Sequence, residues 1–307
     1  MAEFSLIERY FQRPSTSDVA LGIGDDSAIL IPPNGQQLVI CADTMVAGRH
    51  FPLDTDPHAI GWKCVAVNLS DIAAMGAAPH SILLALTLPQ IDHDWLTRFS
   101  QGLFDCCDQF GVRLIGGDTT QGSQLTLSVT ALGWQNIGRQ VPRAGAKVGD
   151  LIVVSGQIGD AAFGLAHQDH PLKQRLDYPT PRCTLGLALA GVAHSMIDIS
   201  DGLAQDLGHI LTASGVAARL NLERLPIDDA LHALPQEQQW QYALAGGDDY
   251  ELCFSISPEA YRTLQQSFDA IKMTVIGEIC TGTGIRYFYN NQEQQLQFTG
   301  YEHFATS

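Results

Sequence analysis

Basic residues are scarce in this chain: 17 Lys and Arg stand against 33 Asp and Glu, a formal charge of −16 over 307 residues. Such a surface repels polyanions, which excludes nonspecific binding to nucleic acid or to an anionic membrane. Nowhere do apolar residues run for the ~20 positions that a membrane span needs. The start, MAEFSLIERYFQR, brings acids early and has no apolar stretch of the signal-peptide kind. A soluble cytoplasmic protein is the expectation. None of the seven cysteines forms a CxxC pair, their number is odd, and most sit in apolar runs, which predicts free buried thiols in a reducing compartment. Also missing are GxxxxGK[ST], the HRD and DFG signatures and GxSxG, which removes P-loop enzymes, protein kinases and elbow-type hydrolases. No low-complexity tract or short repeat interrupts the chain.

Aspartate, by contrast, is plentiful and pointedly placed. Asp25 and Asp26, Asp43, Asp71, Asp118, Asp198 and Asp201, and Asp248 and Asp249 sit in glycine-flanked or apolar-flanked clusters. A carboxylate beside buried structure is costly unless something positive meets it. Two of them ~4 Å apart repel by about 1 kcal/mol in water and about 4 kcal/mol at an effective dielectric near 20. Gathering several therefore implies a cation. Oxygen donors suit magnesium or a similar hard ion, which keeps positions open for water and substrate phosphates. The chemistry to which these residues point is magnesium-assisted phosphoryl transfer.

The length suits two ordinary domains. Spacing predicts a helix over 4–12, a strand over 37–42 with Asp43 at its tip, and a buried helix over 58–75 that contains Asp71. A strand at 81–88, a helix at 92–110, a strand at 112–115 leading into Gly116-Gly117-Asp118, and an alternating strand at 124–134 follow. Asn136 to Gly149 is rich in Gly and basic residues and breaks the pattern. The expected division is therefore a domain over 1–137, a linker over 138–149 and a domain over 150–307. In the second half the pattern predicts strands at 151–155, 196–199, 216–222, 250–256 and 273–279. Helices are expected at 161–167, 182–193, 201–214 and 258–267, with a hairpin near 285–298. Strands alternating with helices in both halves make an α/β or α+β protein.

Each acidic cluster also has a plainer reading. Asp25 and Asp26 could bond their own backbone in a turn, and Asp71 could be the N-cap of a helix that starts there. Ser200 or Asp201 as an N-cap accounts for one of the acids Asp198 and Asp201, but not both. The run Gly156 to Gly164 reads equally as a phosphate-cradling loop or as ordinary strand-turn-helix geometry. For phosphate, the cationic candidates are Arg143 and Lys147.

Taken together, GIGDDSA (22–28), CADTMVAGRHF (41–51), NLSDIAAMGA (68–77), GGDTT (116–120), DISDGL (198–203), AGGDDYEL (245–252) and GYEHF (300–304) resemble the thiamine-monophosphate kinase family in order, spacing and nearly full-length coverage. That family shares a superfamily with aminoimidazole ribonucleotide synthetase and selenophosphate synthetase. The resemblance implies a two-domain aminoimidazole ribonucleotide synthetase-like fold, each domain a mixed sheet with helices packed on it. The N-terminal domain would bind ATP and magnesium and form a homodimer. The implied reaction converts ATP and thiamine monophosphate into ADP and thiamine diphosphate, with several magnesium ions and with ATP as co-substrate.

Carried over by position, the resemblance implies metal ligands at Asp26, Cys41, Ala42, Asp43, Asp71, Asp118, Asp198 and Asp201, of which Asp71, Asp118 and Asp201 are catalytic. It implies ATP contacts at Gly117, Asp118, Arg143 and Ser200, and substrate contacts at His50, Asp248 and Tyr301. A thiazolium cation is favoured by a carboxylate and by an aromatic face. Two positions depart from the family pattern. Ala42 stands where Thr is frequent, leaving a backbone oxygen, and Asp248 stands where Glu is frequent, one methylene shorter. The rivals are another member of the superfamily with a different acceptor and a non-enzymatic divalent-metal-binding protein. Selenophosphate synthetase would need a reactive cysteine in an N-terminal loop, and no cysteine precedes Cys41.

Overall fold

The computed structural model describes residues 3–14 and 18–298, and Tyr301 lies outside them. Two compact units divide the chain, one made of Met1–Ile72 and Ala77–Ile137, the other of Ala73–Gly76 and Gly138–Ser307.

The first unit opens with α1 (Glu3–Tyr10) and a short strand pair, β1 (Val19–Leu21) and β2 (Ile29–Leu30). Its main sheet then comprises β3 (Gln36–Val46), β4 (Ala78–Leu88), β5 (Arg113–Gln121) and β6 (Thr126–Asn136), in the order β3-β6-β4-β5. Helix α2 (Pro57–Ala74) links β3 to β4, and α3 (His93–Phe110) links β4 to β5. Strands β4 and β5 run parallel and the other pairs antiparallel, as the α3 crossover requires. Leu127, Val129 and Ala131 of β6 are buried in alternation. Helix α2 buries Val65, Ala66, Leu69 and Ile72, matching its near-continuous apolar sequence. Asp92 caps α3 by accepting the N–H groups of Asp94 and Trp95, both at 3.0 Å, and left-handed Gly111 ends it.

Two strands run further than their composition suggests. Pairing of β3 with β6 continues from Gln36–Asn136 to Val46–Thr126, so Asp43 lies within the strand rather than at its tip. Likewise β5 passes straight through Gly116-Gly117-Asp118, because β4 offers it partners as far as Leu88–Gln121 and ladder hydrogen bonds satisfy the backbone. Gly117 has a φ of +149°, and a Cβ there would lie 1.8 Å from the Leu84 carbonyl oxygen. The neighbouring strand is reason enough for glycine.

In the second unit, β7 (Leu151–Ser155), β8 (Ser195–Asp198), β9 (Ala217–Asn221), β10 (Leu252–Ile256), β11 (Met273–Cys280), β12 (Gly284–Tyr289) and β13 (Gln292–Gln294) form one sheet. Their order is β13-β12-β9-β11-β7-β10-β8, antiparallel except for β9 with β12. Helices α4 (Asp160–Ala166), α5 (Lys173–Asp177), α6 (Cys183–Leu189), α7 (Leu203–Ser214), α8 (Asp229–His232), α9 (Gln236–Ala245) and α10 (Pro258–Ser267) complete it. Ile152 and Val154 join a core with Leu207, Ile210 and Leu244, whereas Val153 joins another with Leu185, Leu189 and Leu264. Successive residues of β7 thus feed opposite faces, each covered by helices. Residues 138–149 group with this unit, and Val141 and Ala146 are buried there.

All seven cysteines are free. Among the described residues no helix is long and apolar enough to cross a membrane.

Candidate functional site

In the first unit, β3 and α2 bring together three of the residues singled out from sequence. The Cys41 thiol donates to the Asn68 carbonyl at 3.4 Å, and the Asp43 amide donates to Asn68 Oδ1 at 3.0 Å. Burial, then the charges of Asp71 and Asp43, hold the Cys41 thiol well above its ordinary range. Cys41 is thus a protonated neighbour of two acids. Asp71 lies inside α2, which runs on to Ala74, so the N-cap reading fails. Val46 N–H donates to His50 Nδ1 at 3.0 Å, fixing that ring beside the end of β3.

Asp118 occupies a different position. It registers with Ala85, then Ser128, then Thr44 across the sheet, the row next to that of Asp43, and pleating directs adjacent rows to opposite faces. Asp118 is exposed, as are Ala42, Asp26 and Gly117. Asp26 follows the turn in which its own N–H donates to Asp25 Oδ1 at 2.8 Å, so the plainer turn geometry is present as well. Among the described residues no group of three or more His, Cys, Asp and Glu forms a ready metal cage.

The first unit holds a cleft of about 140 Å³ that sequence patterns gave no means of finding. Val19, Ile23, Phe104, Val112, Leu114 and Ile115 line it, with Arg13, Asp108 and Arg113 at its polar edge. Arg13 lies 3.5 Å from the Phe104 ring centre and donates to both Asp108 oxygens at 2.8 and 3.0 Å. Ile23 leads directly into Gly24-Asp25-Asp26, and Ile115 precedes Gly117-Asp118 on β5.

In the second unit, Asp198 ends β8 with 5% exposure, and Ser200 and Asp201 follow in the loop before α7. Neither is the helix cap: Gly202 is, and it makes no side-chain cap bond. Asp206, in the first turn of α7, reaches back so that its Oδ2 accepts the N–H groups of Ser200, Asp201 and Gly202, each at 3.1 Å. Burial first, and then Asp198, push the Asp206 carboxyl up to about 8. Gln205 Nε2 donates to Asp201 Oδ2 at 3.1 Å. Arg143 is exposed, and its carbonyl accepts from Ser214 Oγ at 3.4 Å.

The loop Gly247–Glu251 alternates direction. Asp249 and Glu251 are buried, at 3% and 0% exposure, whereas Asp248 and Tyr250 are half-buried. Asp249 Oδ2 accepts Gly159 N–H at 2.7 Å and its Oδ1 accepts Ala161 N–H at 3.4 Å. The start of α4 is therefore filled by the protein's own carboxylate, which answers the phosphate-loop reading of Gly156 to Gly164 in favour of plain geometry. Glu251 accepts from Ser155 Oγ at 2.5 Å, Arg175 Nη2 at 2.7 Å and Arg182 Nε at 2.6 Å. Gly156 makes room for it, since a Cβ there would fall 2.1 Å from Glu251 Oε1. Asp248 has a φ of +69° and Tyr250 a φ of +51°, left-handed conformations that cost about 1–3 kcal/mol each outside glycine. The Asp248 and Tyr250 amides donate to the carbonyls of Ser200 and Ile199, at 2.9 and 2.8 Å.

Comparison with known proteins adds a separate line of observation. The N-terminal domain of AIR synthase related proteins matches residues 24–135, and their C-terminal domain matches residues 147–290. Thiamine-monophosphate kinase of Escherichia coli strain K12 is 46% identical over 324 residues, covering 99% of this chain and 98% of that protein. The crystal structure of thiamine-monophosphate kinase from Stenotrophomonas maltophilia K279a is similar with a TM-score of 0.83 at 45% identity, covering 91% of this chain and 93% of that one. AaThiL complexed with AMPPCP and TMP gives a TM-score of 0.77 at 31% identity, over 92% of each chain.

Proposed function

We infer that this protein uses ATP to phosphorylate thiamine monophosphate, from one premise: the chain belongs to the thiamine-monophosphate kinase family. The observation that carries the reading is the likeness to a complex of AMPPCP and TMP that extends over 92% of both chains. That coverage supports the presence of counterparts of both binding regions in this sequence. The products are ADP and thiamine diphosphate.

A phosphate oxygen of thiamine monophosphate attacks the γ-phosphorus of ATP. The new P–O bond forms as the bond from that phosphorus to the β–γ bridging oxygen breaks, and ADP leaves with the electron pair. No strong base is needed, because a phosphate monoester loses its second proton near pH 6. Positioning and charge neutralisation carry the catalysis.

The cleft beside Phe104 and Arg13 suits the adenine ring, with apolar walls and a polar edge. Gly117, Asp118, Arg143 and Ser200 are assigned to ATP. His50 and Asp248 are assigned to thiamine monophosphate, together with Tyr301, which lies outside the described residues.

The donor type fits magnesium, since hard carboxylate oxygens suit an ion that keeps positions for phosphate; among the described residues no group of three or more His, Cys, Asp and Glu stands ready to hold it. Asp26, Asp43, Asp71, Asp118, Asp198 and Asp201 would hold several such ions by carboxylate, and the positions of Cys41 and Ala42 by backbone oxygen, since a thiol is a poor ligand for a hard ion. Bound magnesium would offset charge on the transferring phosphoryl group. Asp71, Asp118 and Asp201 are the acids assigned to catalysis. Residues 1–137 then form the nucleotide and metal domain, 138–149 a connection, and 150–307 the second domain.

A homodimer through the first unit is supported by its exposed apolar sheet face. Leu38 and Ile40 are 42% and 58% exposed and register with Trp134 and Leu132. Seven free thiols support a reducing, cytoplasmic location.

The test is to incubate the protein with magnesium and ATP plus thiamine, thiamine monophosphate or an aminoimidazole precursor. ADP and thiamine diphosphate should form in equal amounts with thiamine monophosphate alone. ADP formation driven by another acceptor overturns the reading. Asp71→Asn should lower kcat by about two orders of magnitude or more with little change in thermal stability, and near-normal turnover at limiting magnesium would remove its assigned role.

A further inference from the structure

We propose that Tyr250 is a positioning residue for substrate selection: its hydroxyl fixes the Asp248 carboxylate in the orientation that meets the cationic ring of thiamine monophosphate. The proposal rests on the kinase reading above and adds to it a residue that the motifs do not distinguish from its neighbours.

Tyr250 donates its hydroxyl to Asp248 Oδ1 at 2.9 Å. A carboxylate on a short side chain turns readily about its last bond, and one donor on one oxygen gives the other a preferred direction. Both residues hold left-handed backbone conformations. Asp tolerates that region, but for a bulky aromatic residue it is a genuine outlier, and such outliers persist only where the surroundings over-determine them. They do so here. The backbone is tied to Ser200 and Ile199 at the amides of Asp248 and Tyr250, while the intervening and following acids are buried anchors. Asp249 holds the amides of Gly159 and Ala161, and Glu251 holds Arg175, Arg182 and Ser155. Two inward acids thus clamp a segment whose two outward side chains are bonded to each other. Both side chains are half-buried where the backbone is strained. A carboxylate held in one orientation beside an aromatic ring suits recognition of a positively charged heterocycle.

Steady-state kinetics on the full chain tests this, using Tyr250→Phe, Asp248→Asn and the double variant. Tyr250→Phe keeps the ring and removes one donor. It should raise KM for thiamine monophosphate about tenfold, with kcat and the KM for ATP within about twofold of the parent. In the Asp248→Asn background the same substitution should change that KM by less than about twofold, because the partner it orients is already altered. With a neutral thiophene analogue of thiamine monophosphate, Tyr250→Phe should leave KM unchanged, a result that general loosening of the loop would not give. The proposal is overturned if Tyr250→Phe leaves KM for thiamine monophosphate unaltered, if its effect is equally large in the Asp248→Asn background, or if kcat falls with KM constant. Failure of the parent protein to make thiamine diphosphate at all sinks the kinase reading itself, and is seen before any variant is compared.

Discussion

Asp160 is a buried acid that its fold penalises, and the penalty has a definite pH dependence. It opens α4 at 1% exposure, its Oδ1 has no hydrogen-bond partner, and its Oδ2 is 3.7 Å from Arg175 Nε. Burial pushes its carboxyl up first; Arg175 opposes this, and Asp228 and Glu251 add to it, so that it moves from 3.8 to about 6. Asp249, whose own carboxyl is raised mainly by burial, also feels Asp160. Between those two values the folded chain keeps a proton that the unfolded chain has released. Unfolding therefore loses protons, and stability falls as pH rises from about 4 to about 6, with the full penalty remaining above. The displacement corresponds to about 3 kcal/mol. Asn resembles the protonated acid, so Asp160→Asn should match the parent near pH 4 and exceed it by about 3 kcal/mol at pH 7.5. Urea unfolding at a series of pH values, followed by circular dichroism, measures this as a midpoint raised by about 1 M or more at the higher pH. Curves for variant and parent that stay parallel from pH 4 to 7.5 would refute the reasoning.

Other outcomes follow from the same structure. Asp206→Ala removes the acceptor for three amides and should cost about 3 kcal/mol, with faster hydrogen exchange at Ser200, Asp201 and Gly202, whereas Asp206→Asn keeps an acceptor and should retain most of the protection. Glu251→Gln leaves Arg175 and Arg182 without their shared countercharge and should lower stability by about 3–5 kcal/mol, read as a fall in Tm. Gly117→Ala drives a Cβ into the Leu84 carbonyl, so exchange protection along β4 and β5 should drop sharply, and unchanged protection would mean the strands can separate at little cost.

Legibility in the sequence followed local pattern. Helices α2, α3, α7 and α10, and strands β4, β6, β7 and β11, lie where periodicity and caps put them, because each has an apolar stripe, a run of β-branched residues or a Ser, Asp or Gly at its end. Helix α9 was not legible: Gln236-Glu237-Gln238-Gln239 opens it, and only Trp240, Ala243 and Leu244 are buried. The full extents of β3 and β5 were hidden for another reason. Their final residues are held by partners far along the chain, Val46 by Thr126 and Gln121 by Leu88, and such pairing overrides the weak strand preference of Gly116 and Gly117.

The acids divide along the same line. Motif spacing treats Asp248 and Asp249 alike, yet one is half-buried and bonded to Tyr250 while the other is buried and bonded to two amides of a distant turn. Asp198, Asp201 and Asp206 are likewise one cluster in sequence, but Asp206 spends its carboxylate on the backbone that carries the other two. A buried acid that accepts amide hydrogens has its oxygens occupied by the fold itself. Counting aspartates therefore overstates the ligands available to a metal, since the backbone amides assign Asp206 and Asp249 to holding loops in shape.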